Sequence, residues 1–199
     1  MLTGEEKAWE ILAGLDPDEV IRNAQAPFDR AAAHYSVISC GMEFHLFPRE
    51  QKIISVSPGG EVMLQRLAYF FRLSALLYLT SARDIPFTGK LVSPLSLKGG
   101  QLFFRGSHVL PLDKVAGKYA SDRDGFLKKG LALGGEKKEY GDASFTLFPF
   151  PRVPVTLILW EADDEFPARA DLLLDSTCEI QAPLDIIWTI TMMCVLLML

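Results

Sequence analysis

The chain has 199 residues, of which 49% are hydrophobic and 13 are Phe, and its formal net charge is −5. This length fits one domain, and so many apolar residues exclude a chain that is mainly disordered. The acidic balance excludes a typical nucleic-acid-binding protein, because phosphate binding needs a basic face.

The first thirty residues are expected to form a helical N-terminal extension of a single domain that spans residues 1–199. Asp16-Pro17 is typical of a helix start, with a capping side chain before a proline. We therefore predict helices at about 5–14 and 17–24. "YSVISCGMEFHLFP" and "QKIISVS" then predict strands, with Gly41 as a bulge. Only such a bulge would bring Cys40 and His45 to one face of the sheet as metal ligands.

The middle of the chain predicts helices. "EVMLQRLAYFFRLSALLYLTSA", residues 61–82, has the length and apolar density of one central buried helix. Residues 101–133 predict short helices broken at Gly106, Gly117 and Gly125.

The last third predicts an antiparallel meander with strands at about 144–148, 153–160 and 168–174. Its middle strand is almost continuously apolar, which indicates a strand covered on both faces. The predicted class is α+β: an antiparallel sheet, made of this meander and an N-terminal hairpin, packed against helices.

The closing run from Ile186 to Leu199 carries no charge. A bilayer span needs about 20 residues, so we predict a buried helix and no membrane segment. The alternative is an oligomer interface, at which two copies would bury Ile186, Trp188, Met192 and Leu196.

The cysteines, Cys40, Cys178 and Cys194, are far apart in sequence. They have no CxxC or Cys/His spacing of the kind that builds a zinc or iron–sulfur site, so we predict no metal centre. The identity of any cofactor is left unknown by the sequence. Unpaired thiols suit a reducing compartment, and the N-terminus lacks the pattern of a signal peptide. A cytoplasmic location is therefore expected.

Two ends of the meander carry candidate site residues. At one end, five carboxylates could bind a hard cation or act as an acid/base pair, although acidic residues also simply solvate turns. The five are Asp142, Glu161, Asp163, Asp164 and Glu165.

At the other end, Arg152 lies between Pro151 and Pro154, which stiffen its backbone. A preorganised guanidinium suits a carboxylate or phosphate, so we predict an anion site at Arg152, with Lys90 and Arg105 as helpers. The alternative is an internal contact of Arg152, with Asp175 or with a helix end.

Five short motifs of the chain are Gly89-Lys90-Leu91-Val92-Ser93, Gly99-Gly100, Pro151-Arg152-Val153-Pro154, Trp160 through Pro167, and Leu173-Leu174-Asp175. They are a Gly-Lys stretch, a Gly-Gly turn, a Pro-Arg-x-Pro strand start, a Trp-x-x-Asp turn and a Leu-rich strand end. Together they resemble the motifs of a bacterial and archaeal family, the domain of unknown function 3786.

The resemblance implies an anaerobic microbe and a setting in redox or one-carbon metabolism, without any catalytic residue or cofactor. Some members are fused to an iron–sulfur domain, whereas this chain lacks cysteines spaced for a cluster. We therefore expect a cytoplasmic binding or accessory protein that recognises an anionic small ligand, a cofactor or a partner protein. The alternatives are a homo-oligomeric structural subunit that uses the C-terminal helix, and an enzyme at the acidic turn.

Overall fold

The computed structural model describes residues 3–199. In this range nine α-helices and nine strands confirm the predicted α+β class. The helices are α1 (Gly4–Gly14), α2 (Pro17–Ala24), α3 (Gly60–Arg66), α4 (Ala68–Ser81), α5 (Gly100–Phe103), α6 (Leu112–Tyr119), α7 (Arg123–Ala132), α8 (Cys178–Gln181) and α9 (Leu184–Met198). The strands are β1 (Phe28–Asp29), β2 (His34–Ser39), β3 (Met42–Phe47), β4 (Lys52–Ser55), β5 (Leu91–Val92), β6 (Glu136–Lys138), β7 (Ala143–Phe150), β8 (Val153–Trp160) and β9 (Arg169–Asp175).

The strands form two antiparallel sheets. The first has the order β1-β2-β3-β4, and the second has the order β5-β9-β8-β7-β6. The predicted meander is β7, β8 and β9, with bounds within about two residues of those expected. Apolar side chains of β8 at positions 153, 155, 157 and 159 face the core, as the almost continuous apolar run indicates.

The expected bulge at Gly41 is instead a tight turn. Cys40 and Gly41 have φ values of 47° and 74° and connect β2 directly to β3 as a two-residue hairpin. Positive φ at both central residues is the geometry that matches the twist of a hairpin. The register stays regular, so Cys40 and His45 are not brought to one face.

The hairpin tip joins the two sheets. The Cys40 amide donates to the carbonyl of Phe148, where the β7–β8 pairing shifts register. A Cβ atom on Gly134 would lie 2.8 Å from the Cα of Gly41, so the two backbones touch directly. Glycine at both positions is what allows this close approach.

The single central helix was a wrong prediction. The segment forms α3 and α4, which meet at Leu67 with a bend of 104°. A straight helix of that length would span about 30 Å and would carry apolar side chains past the core. The bend keeps α3 against β4 while α4 packs between α1 and α9.

Two of the three predicted glycine breaks are absent. Gly117 lies inside α6 and Gly125 inside α7, and the chain breaks between them at Ala120–Asp122. Asp122 begins α7, because its side chain accepts a hydrogen bond from the Gly125 amide. The Asp cap, rather than a glycine, therefore sets the helix boundary.

The C-terminal helix α9 lies inside the chain's own core. Ile186 and Ile190 are fully buried and Met192 nearly so, while Trp188 and Leu196 are half-buried. The expectation of a buried helix is therefore met by most of its side chains. In residues 3–199, no single helix has both the length and the apolar character needed to cross a membrane.

The two N-terminal helices form as expected and contribute to the same core. Trp9 and Leu12 of α1 are buried against α4, and Val20 and Ala24 of α2 are buried as well. Asp16 caps α2 through the amide of Asp18.

Two helical glycines give a matched test of packing. A Cβ atom at Gly130 would lie 2.4 Å from the ring of Phe145, whereas one at Gly117 would meet nothing within 4 Å. We expect Gly130→Ala to lower the free energy of unfolding by about 1–3 kcal/mol through overpacking. Gly117→Ala should raise it by about 0.5–1 kcal/mol, because alanine favours the helix. Urea unfolding measures both, and equal effects of the two substitutions would contradict the packing of α7 on β7.

Candidate functional site

Arg152 lies in the two-residue turn between β7 and β8, and its side chain points inward. Phe150 and Val153 pair across the turn, so Pro151 and Arg152 form its tip. Only 7% of Arg152 is exposed. The prolines therefore do hold it on a stiff turn, but they direct the guanidinium towards the protein interior.

The guanidinium of Arg152 binds the end of α2. Its Nε donates to the Asn23 carbonyl at 2.5 Å and its Nη2 to the Arg22 carbonyl at 3.0 Å. Its Nη1 donates to the Ile85 carbonyl at 3.4 Å, and Nη2 also pairs with the Asp84 carboxylate. Four of the five N–H groups of a guanidinium are thus used. The sequence offered two internal contacts for Arg152, a helix end and Asp175. In the structure Arg152 binds the helix end, and its carboxylate partner is Asp84 instead of Asp175.

Tyr78 completes this helix end. Its hydroxyl donates to the Ala24 carbonyl at 2.8 Å and accepts from the Arg152 amide at 3.2 Å. Burial raises the pKa of Tyr78, which keeps the hydroxyl protonated as a donor. Three carbonyls in the last turn of α2, which a helix leaves without partners, are thereby satisfied, and a cation sits at the negative end of the helix dipole.

The two helper cations lie elsewhere. Lys90 precedes β5 and is exposed, and Arg105 is exposed at the start of the 3-10 turn Gly106–His108. Neither is among the groups that contact the Arg152 guanidinium in residues 3–199. An anion at Arg152 would have to displace carbonyl oxygens from a buried side chain.

Asp175, the other residue expected near Arg152, anchors a loop. Its carboxylate accepts from the amides of Thr88, Gly89 and Thr177, and from both threonine hydroxyls. Burial acts to raise the pKa of Asp175, but these hydrogen bonds outweigh it and hold the pKa below its usual value. The carboxylate therefore stays ionised and fixes residues 88–89 beside the end of β9.

The acidic turn does not gather its carboxylates. Asp142 accepts from the Glu161 amide at 2.7 Å, and Asp163 accepts from the amides of Glu165 and Phe166. Asp163, Asp164 and Glu165 are exposed. In the described range no three His, Cys, Asp or Glu side chains are placed to hold a metal ion. The acidic residues therefore act as in the alternative considered from the sequence: Asp side chains accept hydrogen bonds from local amides, and the others keep the turn solvated.

All three thiols are buried, and those of Cys178 and Cys194 have raised pKa values and stay protonated. Burial and the adjacent Cys40 thiol raise the pKa of Cys194 well above its usual value. Burial, followed by the charge of Glu179, raises the pKa of Cys178 to about 12. Because the thiolate is the reactive form, neither residue is suited to nucleophilic catalysis.

An apolar groove runs along β9, and we call it the β9 groove. It has a volume of about 490 Å³, which is in the range of ligand-binding clefts. Leu95 and Val109 on its wall are 51% and 56% exposed. Its lining residues are Ser93, Pro94, Leu95, Phe104, Val109, Leu110, Leu112, Asp171, Leu172 and Leu173.

Two hydrogen bonds fix the wall of the β9 groove. The indole N–H of Trp188 in α9 donates to the His108 carbonyl at 2.9 Å, next to Val109. Glu179 of α8 accepts from the Lys98 amide at 2.7 Å. The wall segment consists of short helical turns joined by loops, and these bonds hold its apolar side chains opposite β9.

Asp171 carries the only charge in the lining of the β9 groove. Its Oδ2 accepts from the Trp160 indole N–H at 2.8 Å, and the Arg169 guanidinium stacks over that indole ring at 4.6 Å. In residues 3–199 no cation forms an ion pair with Asp171. The groove therefore offers one carboxylate in an apolar setting.

A second cavity, of about 510 Å³, lies between the hairpin tip, α3, α7 and the end of α9. Its walls are apolar, and it also contains the side chains of Arg66 and Lys129, both exposed. In the described range neither cation is in an ion pair. We call this the cationic cavity.

Neither cavity was predicted from the sequence. The wall of the β9 groove comes from residues 93–112, and the part of this segment from residue 101 onward was predicted only as short helices. One signal was present: Asp171 places a charge in the strand next to Leu172 and Leu173.

The comparisons with known proteins give a family but no activity. A family described as a domain of unknown function (DUF3786) matches residues 16–196, which is nearly the whole chain. The chain belongs to the DUF3786 family. This confirms the resemblance drawn from the Pro-Arg-x-Pro and Trp-x-x-Asp motifs. No curated protein and no solved structure matches the chain, so the functional argument for this DUF3786 chain depends on its geometry.

Arg152 gives a test that separates a structural role from ligand binding. We expect Arg152→Met to lower the free energy of unfolding by about 3 kcal/mol, because buried carbonyls and Asp84 lose their partner. Arg152→Lys should lower the free energy of unfolding by less, because an ammonium group keeps the positive charge but not the several planar N–H donors of a guanidinium. The control is the exposed Arg105→Met, which should stay within about 0.5 kcal/mol of wild type. Wild-type stability in Arg152→Met, measured by urea unfolding, would contradict the structural role and return Arg152 to the list of anion-binding candidates.

Proposed function

We propose that this DUF3786 chain is a binding protein that holds an apolar segment of a partner protein in the β9 groove. One observation carries the proposal: exposed Leu95 and Val109 border a cleft whose other lining residues are apolar apart from Ser93 and Asp171. Large apolar side chains exposed around one concavity are typical of interaction sites.

The state of the polar residues supports binding over catalysis. The guanidinium of Arg152 is occupied by backbone oxygens, and Asp142 and Asp163 are occupied by backbone amides. Asp164 and Glu165 are exposed and lie outside the lining of both cavities.

A cytoplasmic location is part of the proposal. Three buried, unpaired thiols suit a reducing compartment. The setting in anaerobic metabolism rests only on the resemblance described above and on no feature of the groove.

Selection of peptides tests the β9 groove. A display library of linear peptides is selected on the wild-type protein, and enriched peptides are synthesised and titrated. We expect Val109→Glu to weaken their binding at least tenfold, because the new carboxylate would be buried without a partner. Leu131→Glu is the matched control, since Leu131 is 48% exposed on α7 and outside the groove. Failure to enrich any peptide, or equal affinities of the two variants, would overturn the proposal.

The cationic cavity favours a second candidate function, the binding of an anionic amphiphile. Apolar walls suit an aliphatic chain, and Arg66 and Lys129 are free to pair with its carboxylate. This candidate keeps the anionic ligand expected from the sequence, but it assigns the ligand to Arg66 and Lys129 in place of Arg152, Lys90 and Arg105.

Paired amphiphiles test the cationic cavity. We expect decanoate to bind and decyltrimethylammonium, with the same chain and opposite charge, not to bind. Arg66→Gln or Lys129→Gln should weaken decanoate binding about three- to tenfold, as a half-exposed charge pair would. Lys128→Gln, next in sequence but outside the cavity, is the control. Calorimetric titration measures the affinities, and equal binding of both amphiphiles would contradict this candidate.

A further inference from the structure

The edge of β9 that borders the groove has no strand partner along most of its length. β5 pairs with Leu174 and Asp175 only. Past Val92 the chain turns away, because Pro94 has no N–H to continue a ladder and Ser93 caps a 3-10 turn through the Leu95 amide. In residues 3–199 no other strand lies on this side of β9.

The hydrogen-bond pattern identifies which backbone groups face this edge. The Ser176 amide donates to the Lys90 carbonyl, on the β5 side. Amides two residues apart in a strand point the same way, so the N–H and C=O groups of Leu174, Leu172 and Ala170 face that side too. Those of Leu174 meet β5, whereas those of Ala170 and Leu172 have no strand partner on that side in residues 3–199. Leu172 lines the β9 groove, and α6 packs against the same strand.

We propose that the partner segment in the β9 groove is an extended strand that adds to the free edge of β9, with a lysine or arginine beside Asp171. This proposal rests on the function proposed above and specifies the kind of segment that the β9 groove binds. The guest would take the place that β5 would occupy if it continued past Val92. Main-chain hydrogen bonds to Ala170 and Leu172 would supply affinity, as in other cases of strand addition.

The side chains of the groove set the sequence that it accepts. In a guest strand alternate side chains point to opposite faces. One set meets the apolar wall around Val109 and Leu112, and the other lies on the face of β9 that carries Asp171. Asp171 binds the neutral indole N–H of Trp160, and Arg169 stacks on that indole without forming an ion pair with Asp171. In residues 3–199 Asp171 has no ion-pair partner, so a basic side chain of the guest completes a charge pair. We expect enriched peptides to alternate apolar residues and to carry one basic residue.

Backbone methylation tests the strand geometry. The strongest peptide from the library selection is made in two forms, each N-methylated at alternate amides, so that each form loses the donors on one edge. We expect one form to lose binding by at least a hundredfold and the other to keep it within about threefold, because only one edge of the guest faces β9. Equal binding of both forms would overturn strand addition.

A coupling measurement tests the role of Asp171. The same peptide is compared with one in which norleucine replaces the basic residue, on wild type and on Asp171→Asn, which keeps an acceptor for Trp160. We expect Asp171→Asn to weaken the basic peptide about three- to tenfold and to leave the norleucine peptide unchanged. Equal effects on the two peptides would remove the charge pair from the proposal.

The two proposals can fail separately. If Val109→Glu abolishes binding but both methylated forms bind like the parent peptide, the groove binds its partner and the strand geometry is wrong. If Val109→Glu has no effect, the groove itself is not the site, and both proposals fail.

Discussion

The contact between Arg152 and the end of α2 organises the molecule. A cation on the β7–β8 turn binds two carbonyls of α2, and Asp84 and Ile85 belong to the chain that leaves α4. A single side chain therefore joins α2, the segment after α4 and the meander. Because these contacts occupy its guanidinium, Arg152 stabilises the fold, although the sequence indicated an anion-binding role. We therefore look for a ligand site on another surface.

The β9 groove exists because two segments are held apart. Asp175 fixes residues 88–89, so that β5 starts in register and pairs with β9 for two residues before Ser93 and Pro94 turn it away. Trp188 and Glu179 then hold the returning chain at a distance from the strand. An edge that natural sheets usually cover or shorten is left open here, beneath a wall of apolar side chains.

The regular elements could be predicted from local sequence, and the sites could not. The alternation and length of the meander strands, and the Asp16-Pro17 start of α2, are local signals that hold in any fold. The bend at Leu67 could not be predicted, because no proline or glycine lies near it in the sequence. It follows from packing on both sides of α4. Arg152 and Asn23 are 129 residues apart, and the groove joins β9 to an irregular segment. Such contacts between distant segments depend on the complete tertiary structure. The charged Asp171 beside the leucines of its strand was the one local signal of the β9 groove.

The distance along the chain between Arg152 and its helix also sets an order of events during synthesis. At translation rates of roughly 5–20 residues per second, the 129 residues that separate Asn23 from Arg152 take roughly 6–26 s to make. During that interval α2 has been made, but its Arg22 and Asn23 carbonyls lack the guanidinium that they contact in the folded protein. A nascent chain is thus exposed to proteases and chaperones at its N-terminal helices until the β7–β8 turn emerges from the ribosome.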